Sequence, residues 1–109
     1  MFTFHLRKGS DAPTDVTVVA ETVGTDTIIF AASRCGENDI FNRKLGRTIA
    51  TGRLRKYINS DRSKMKPGIF VIESNDFSSD SFHTKARTIG IQVANDKGFS
   101  GKTYAGKRK

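Results

Sequence analysis

The sequence predicts an α+β fold, a small antiparallel β-sheet packed against one long and one shorter α-helix, and three observations predict it. Apolar and polar residues alternate from Phe2 to Arg7, two β-branched runs follow it at short intervals, and two later stretches space their apolar residues by three and four. At 109 residues the chain fits one domain and is short for two, because a separate hydrophobic core needs about 50 residues. The expected division is a domain over residues 1–98 followed by a basic, extended C-terminal tail over 99–109, rich in glycine and lysine.

Phe2, Phe4 and Leu6 alternate with Thr3, His5 and Arg7, the period of a strand with one buried face. Lys8 to Thr14 holds Gly9, Ser10, Asp11 and Pro13 and reads as a turn. Asp15 to Glu21, with Val16, Val18 and Val19, and Thr25 to Ala32, with Ile28, Ile29 and Phe30, read as two strands joined at Val23-Gly24. Asn38 or Asp39 is placed to cap a long helix that meets no proline before Asn59. Within it Phe41, Leu45 and Ile49 are expected to face the sheet, beside a second row of Gly46, Ala50, Leu54 and Ile58 that allows close packing. Gly52 costs about 1 kcal/mol against alanine in a helix interior, so a bend or helix end is expected near it. Lys66-Pro67-Gly68 is punctuation, and Ile69-Phe70-Val71-Ile72 reads as a fourth strand. Phe82, Ala86, Ile89 and Val93 fit a second helix capped by Ser79 or Ser81 and ended before Gly98, although Ile89, Ile91 and Val93 also alternate as a strand would.

The formal net charge of +8 is one-sided. Arg43 to Lys66 holds nine basic residues against Asp61 alone, and the chain from Lys97 adds five more with no acid. Clustered cations raise the local potential and steer polyanions toward it. Cys35 is the single cysteine, which excludes an intramolecular disulfide and a cysteine-built zinc site and points to a reducing, cytoplasmic setting. The N-terminal residues lack the apolar core of a secretory signal and no stretch approaches the roughly 20 apolar residues of a membrane span, so no membrane association is expected.

Catalysis by acid–base or nucleophilic chemistry needs a base near a nucleophile, separated carboxylates or a metal. His5 and His83 stand in no metal or triad spacing, Cys35 beside Arg34 reads first as a buried structural thiol, and Gly101-Lys102-Thr103 lacks the upstream glycine of a phosphate-binding loop. The expectation is a protein that is not an enzyme and needs no cofactor or metal.

Anion recognition is the chemistry the residues favour. Guanidinium groups match phosphate oxygens in geometry as well as charge, and Arg43, Arg47, Arg53 and Arg55 cluster on the long helix, with Arg87 on the second. A nucleobase can stack on an aromatic ring while arginine takes the phosphate. Phe77 and Phe82 beside the polar stretch, and Lys102 with Tyr104 near the C-terminus, complete the set of candidate ligand contacts.

The run from Phe41 to Leu54, preceded by Arg34-Cys35 after a β segment, resembles a pattern in small bacteriophage proteins. Within that group it is most similar to the Thoeris anti-defence family, which acts as sponges for cyclic ADP-ribose-type and related cyclic nucleotide signals. The resemblance implies a non-catalytic α+β homo-oligomer in the host cell cytoplasm that holds a phosphorylated nucleotide between subunits. It assigns no ligand contact to a numbered position here. Sequestration of a nucleotide signal is therefore the leading expectation. A nucleic-acid binder that tracks a phosphate backbone, and an inhibitor that docks on an acidic patch of a host protein, are the alternatives.

Overall fold

The computed structural model describes residues 1–9, 12–35, 43–60 and 68–96. Strands β1 (Phe2–Leu6), β2 (Val16–Val23) and β3 (Thr27–Arg34) precede helix α1 (Arg43–Ile58), which is followed by β4 (Ile69–Glu73) and helix α2 (Ser79–Asn95). The four strands form one antiparallel sheet in the order β1-β2-β3-β4. The α+β expectation holds, and the choice of helix over strand for the last element holds with it. Among the described residues α1 spans 16 residues and α2 spans 17. The tail over 99–109, the caps at Asn38 and Asp39, and Phe41 lie outside the described residues.

The two helices cover opposite faces of the sheet. Val16, Val18, Ala20, Ile28, Phe30 and Ala32 pack against Phe82, Ala86, Ile89 and Val93 of α2. Val19, Ile29, Ala31 and Ile69 pack against Ala50, Leu54 and Tyr57 of α1 on the other side. Covering both faces explains why Val16 to Ala20 is buried without a break, whereas an alternating strand would bury every second residue. The β2–β3 hairpin closes Val23 on Thr27 through Gly24, whose φ of 68° is left-handed backbone that glycine adopts without strain.

Helix α1 presents a different face from the expected one. Gly46, Ala50, Leu54 and Tyr57 are its buried residues, while Leu45 and Ile49 sit half-buried at its side. The small residues at Gly46 and Ala50 let the helix settle close to the strands, so the row with less apolar bulk is the one that packs. The helix also continues unbroken through Gly52. On α2 the cap is Ser78, not Ser79 or Ser81; its side chain accepts from the Ser81 backbone N–H at 3.2 Å. Asp76 Oδ1 in turn accepts from the Ser78 N–H, and hydrogen bonding at Ser78 holds the Asp76 carboxyl below its ordinary pKa.

Candidate cationic surface on helix α1

Four residues join β1 to α1 across the sheet. His5 pairs with Thr17 in the β1–β2 register, and Thr17 pairs with Ser33 in the β2–β3 register. Directly opposed residues share a sheet face, and the face here is the one under α1, since Ser33 Oγ donates to the Gly46 carbonyl at 2.8 Å. The His5 Nδ1 and Thr17 Oγ1 atoms lie 3.0 Å apart. Thr17 and Ser33 are fully buried, each with a hydrogen-bond partner, as buried hydroxyls require.

Arg43 and Arg47 flank Gly46 on α1, within electrostatic reach of His5. Burial lowers the pKa of the imidazole below 6.5, and the charges of Arg43, Arg47 and Arg7 lower it further. Cationic field from two elements therefore converges on one half-buried side chain. Arg7 is anchored on the opposite side by Asp15, with Nε and Oδ1 3.3 Å apart, and Asp15 also accepts from the Lys8 N–H at 2.7 Å.

Arg43, Arg47, Thr51 and Arg55 follow one another at four-residue intervals along α1. At 1.5 Å rise per residue this line is about 18 Å long. Arg43, Lys44, Arg47, Arg55 and Lys56 are exposed, and the helix contains no acid. Among the described residues Arg43, Arg47 and Arg55 have no carboxylate partner. A shallow cleft of about 430 Å³ lies along the line, bounded by Met1, Arg47, Thr48, Thr51, Gly52 and Arg55. It offers two guanidinium groups and two hydroxyls to an anion.

The remaining expected contacts are not brought to this surface. Arg53 is half-buried and its Nη1 donates to the Ala32 carbonyl at 2.6 Å, just beyond the point where β4 stops pairing with β3 at Ile69 and Ala31. Burial lowers its pKa from the ordinary arginine value, yet a guanidinium stays charged at any physiological pH. It ties α1 to the sheet. Phe82 is a core residue, 8 % exposed, edge-on to Phe2 at 5.4 Å between ring centroids. It offers no open ring face, which corrects its reading as a stacking platform; its place as the first apolar residue of α2 draws it inward. Phe77 is 39 % exposed but packs edge-on to Phe82, on the α2 side of the sheet. Arg87 is an exposed residue of α2, which covers the face opposite α1. Lys102 and Tyr104 lie outside the described residues.

Thr17 and Ser33 were legible only through register. Closing the hairpin at Val23 and Thr27 sets Thr17 opposite Ser33, and two hydroxyls facing each other within apolar strands mark a polar seam. Arg34 carries a role that the charge count hides, since its Nη1 donates to the carbonyls of Val93 and Asp96.

Cys35 is a buried thiol, as expected, with its backbone N–H on the Asp15 carbonyl at 2.9 Å. Among the described residues no group of three or more His, Cys, Asp or Glu could hold a metal ion, and no helix is long and apolar enough to cross a membrane. No protein family, curated protein or solved structure matches the chain.

Proposed function

We propose that the outer flank of α1 binds a phosphate-bearing chain, nucleic acid in the first instance, through Arg43, Arg47 and Arg55 with Lys44 and Lys56 beside them. The observation that carries this reading is the exposed line of arginines without carboxylate partners among the described residues. A line of about 18 Å exceeds the reach of a single phosphate group and suits successive phosphates of an extended strand. Arg43 and Lys44 also stand in the first described turn of α1, where the helix dipole is positive, with Arg47 one turn on. Cations there oppose one another and the dipole, and an arriving anion relieves both. The work of this surface is binding, in the cytoplasm, without a bond made or broken.

The test is fluorescence anisotropy of a labelled single-stranded oligonucleotide against rising salt. Binding should weaken steeply, because each neutralised phosphate releases a counterion with a log–log slope of about 0.7 for a single strand. Absence of binding at low salt overturns the reading.

The cleft bounded by Arg47, Thr48, Thr51 and Arg55 supports a second reading. Its volume of about 430 Å³ falls in the range of small-molecule sites. A cyclic nucleotide signal, the class of ligand that the resemblance to the Thoeris anti-defence family implies without placing it on any residue, would be sequestered there in a complex of limited salt dependence. Stabilisation by a small cyclic nucleotide that persists at high salt would put this reading first.

A further inference from the structure

We propose that the outer edge of β4 joins two copies of this chain: the two strands pair antiparallel about a two-fold axis at Val71 and merge the sheets into one, with four strands from each copy.

The backbone sets the pairing. Strand order β1-β2-β3-β4 leaves β4 at an edge of the sheet. The Gly68 carbonyl accepts from the Ala32 N–H and the Ser74 N–H donates to the Asp26 carbonyl, both at 2.9 Å. Hydrogen-bonded and non-bonded positions alternate along an antiparallel pair, so Phe70 and Ile72, at even steps between those contacts, turn their peptide groups toward β3. Ile69, Val71 and Glu73 turn theirs outward, and among the described residues nothing pairs with them. The open donors and acceptors are therefore spaced symmetrically about Val71.

An open row of this kind takes up an extended strand, and a second β4 fills it without remainder. With Val71 opposite Val71 of the partner, Ile69 falls opposite Glu73 of the partner, and the edge closes with about six hydrogen bonds. In this register the two Glu73 carboxylates stay apart, and Val71, 41 % exposed in the single chain, meets its own copy. The strand reads Ile-Phe-Val-Ile-Glu and carries neither the lysine nor the proline that blunts many edge strands. On its other face, half-buried Phe70 and Ile72 line a groove of about 420 Å³ with Thr88, Ile89 and Gln92 of α2. Phe70 of the partner falls opposite Ile72, so the join extends this apolar strip.

Charge favours β4 over β1 as the joining edge. Met1, at the start of β1, borders the cleft of Arg47, Thr51 and Arg55, so the cationic flank of α1 lies toward the β1 edge. Joining at β4 holds the two flanks at the far ends of the merged sheet, whereas joining at β1 would bring like charges together. A β1-to-β4 join would be head-to-tail and leave an open edge at each end.

The experiment is sedimentation equilibrium of the full chain over a range of concentrations at low and high salt, with no nucleotide or nucleic acid present. The expected mass is twice the 12.0 kDa of the chain, persisting at high salt. Val71→Lys sets two cations face to face at the axis and should weaken the dimer at least about tenfold, with circular dichroism showing the fold retained. Val71→Cys should give a disulfide-linked dimer with oxidised glutathione, because directly opposed residues have Cα atoms about 5.5 Å apart. Glu73→Cys, displaced from its own copy along the strands, should not cross-link. A single-chain mass at every concentration overturns the proposal, as does a dimer that Val71→Lys leaves intact or one that Glu73→Cys links as readily as Val71→Cys. Slow amide exchange at Ile69, Val71 and Glu73 in a monomer would show the edge covered from within the chain, and also overturns it.

Discussion

Arg34 of β3 reaches across to the end of α2, where its Nη1 donates to the Val93 carbonyl at 3.0 Å and to the Asp96 carbonyl at 2.7 Å. The last turn of α2 holds no basic residue of its own, so the strand supplies the cation that the negative helix end favours. Arg34→Met keeps much of the apolar stem and removes the donors. It should lower stability by about 1–3 kcal/mol, the range for hydrogen bonds from charged groups. Amide exchange should accelerate first at 91–96, where the carbonyls lose their partner. An unchanged urea midpoint would show that the contact contributes nothing.

Arg47 and Arg53 stand on one helix and should respond oppositely to truncation. Arg53→Ala strips a half-buried donor from the Ala32 carbonyl and should cost about 1–3 kcal/mol of stability, with anion binding little changed. Arg47→Ala alters an exposed side chain on the cleft and should leave stability within about 0.5 kcal/mol. Its oligonucleotide affinity should drop, and its salt slope should shrink by about 0.7, the share of one single-strand phosphate contact. Equal binding losses in both variants would mean that Arg53 reaches the ligand after all. Urea melts and salt-dependent anisotropy on the same preparations separate the cases.

Which of these features the chain discloses beforehand follows from range. β1 was legible because Phe2, Phe4 and Leu6 alternate, and α2 because Phe82, Ala86, Ile89 and Val93 repeat at helical spacing; both are local signals. The basic character of α1 was equally plain. Its sheet-facing side was misjudged because bulk at Leu45 and Ile49 outweighs Gly46 and Ala50 in a hydrophobic pattern, whereas close approach to a sheet rewards small side chains. Arg53 and Arg34 look like members of a charge cluster in the sequence, and only long-range contacts with Ala32, Val93 and Asp96 separate them from Arg43 and Arg47. The seam of His5, Thr17 and Ser33 needs the register of three strands before it becomes visible.

Gly52 and Gly90 both lie inside unbroken helices and predict opposite outcomes. A Cβ at Gly52 meets nothing within 4 Å, so Gly52→Ala should stabilise the protein by about 0.5–1 kcal/mol through helix propensity and a less flexible unfolded chain. A Cβ at Gly90 comes within 3.2 Å of Leu6 Cδ2 and 3.8 Å of Val18 Cγ2, where α2 lies close on β1 and β2. Leu6 can yield a few tenths of an ångström, so alanine should come out close to neutral as the propensity gain offsets crowding. Gly90→Val adds bulk with no room to take it and should destabilise by about 1–3 kcal/mol. Thermal melts of the three variants check the ordering, and a stabilised Gly90→Val would show that the helix can lift from the strand at no cost.

His5 links stability to pH. Its folded pKa lies below 6.5, lowered first by burial and then by Arg43, Arg47 and Arg7. Between that folded value and 6.5 the unfolded chain binds more protons than the folded one, so stability rises with pH in this interval. The contribution is complete above about 6.5, falls away as pH drops toward the folded value, and is lost below it. His5→Gln removes the titration while keeping a polar side chain able to reach Thr17. Urea midpoints for the two proteins should therefore run parallel above pH 7 and separate below 6.5, with the native protein losing more stability on acidification. Arg43→Gln, which withdraws one of the repulsive charges, should narrow the separation by raising the folded pKa toward 6.5. Curves that stay parallel down to pH 5 would mean that the imidazole titrates alike in both states.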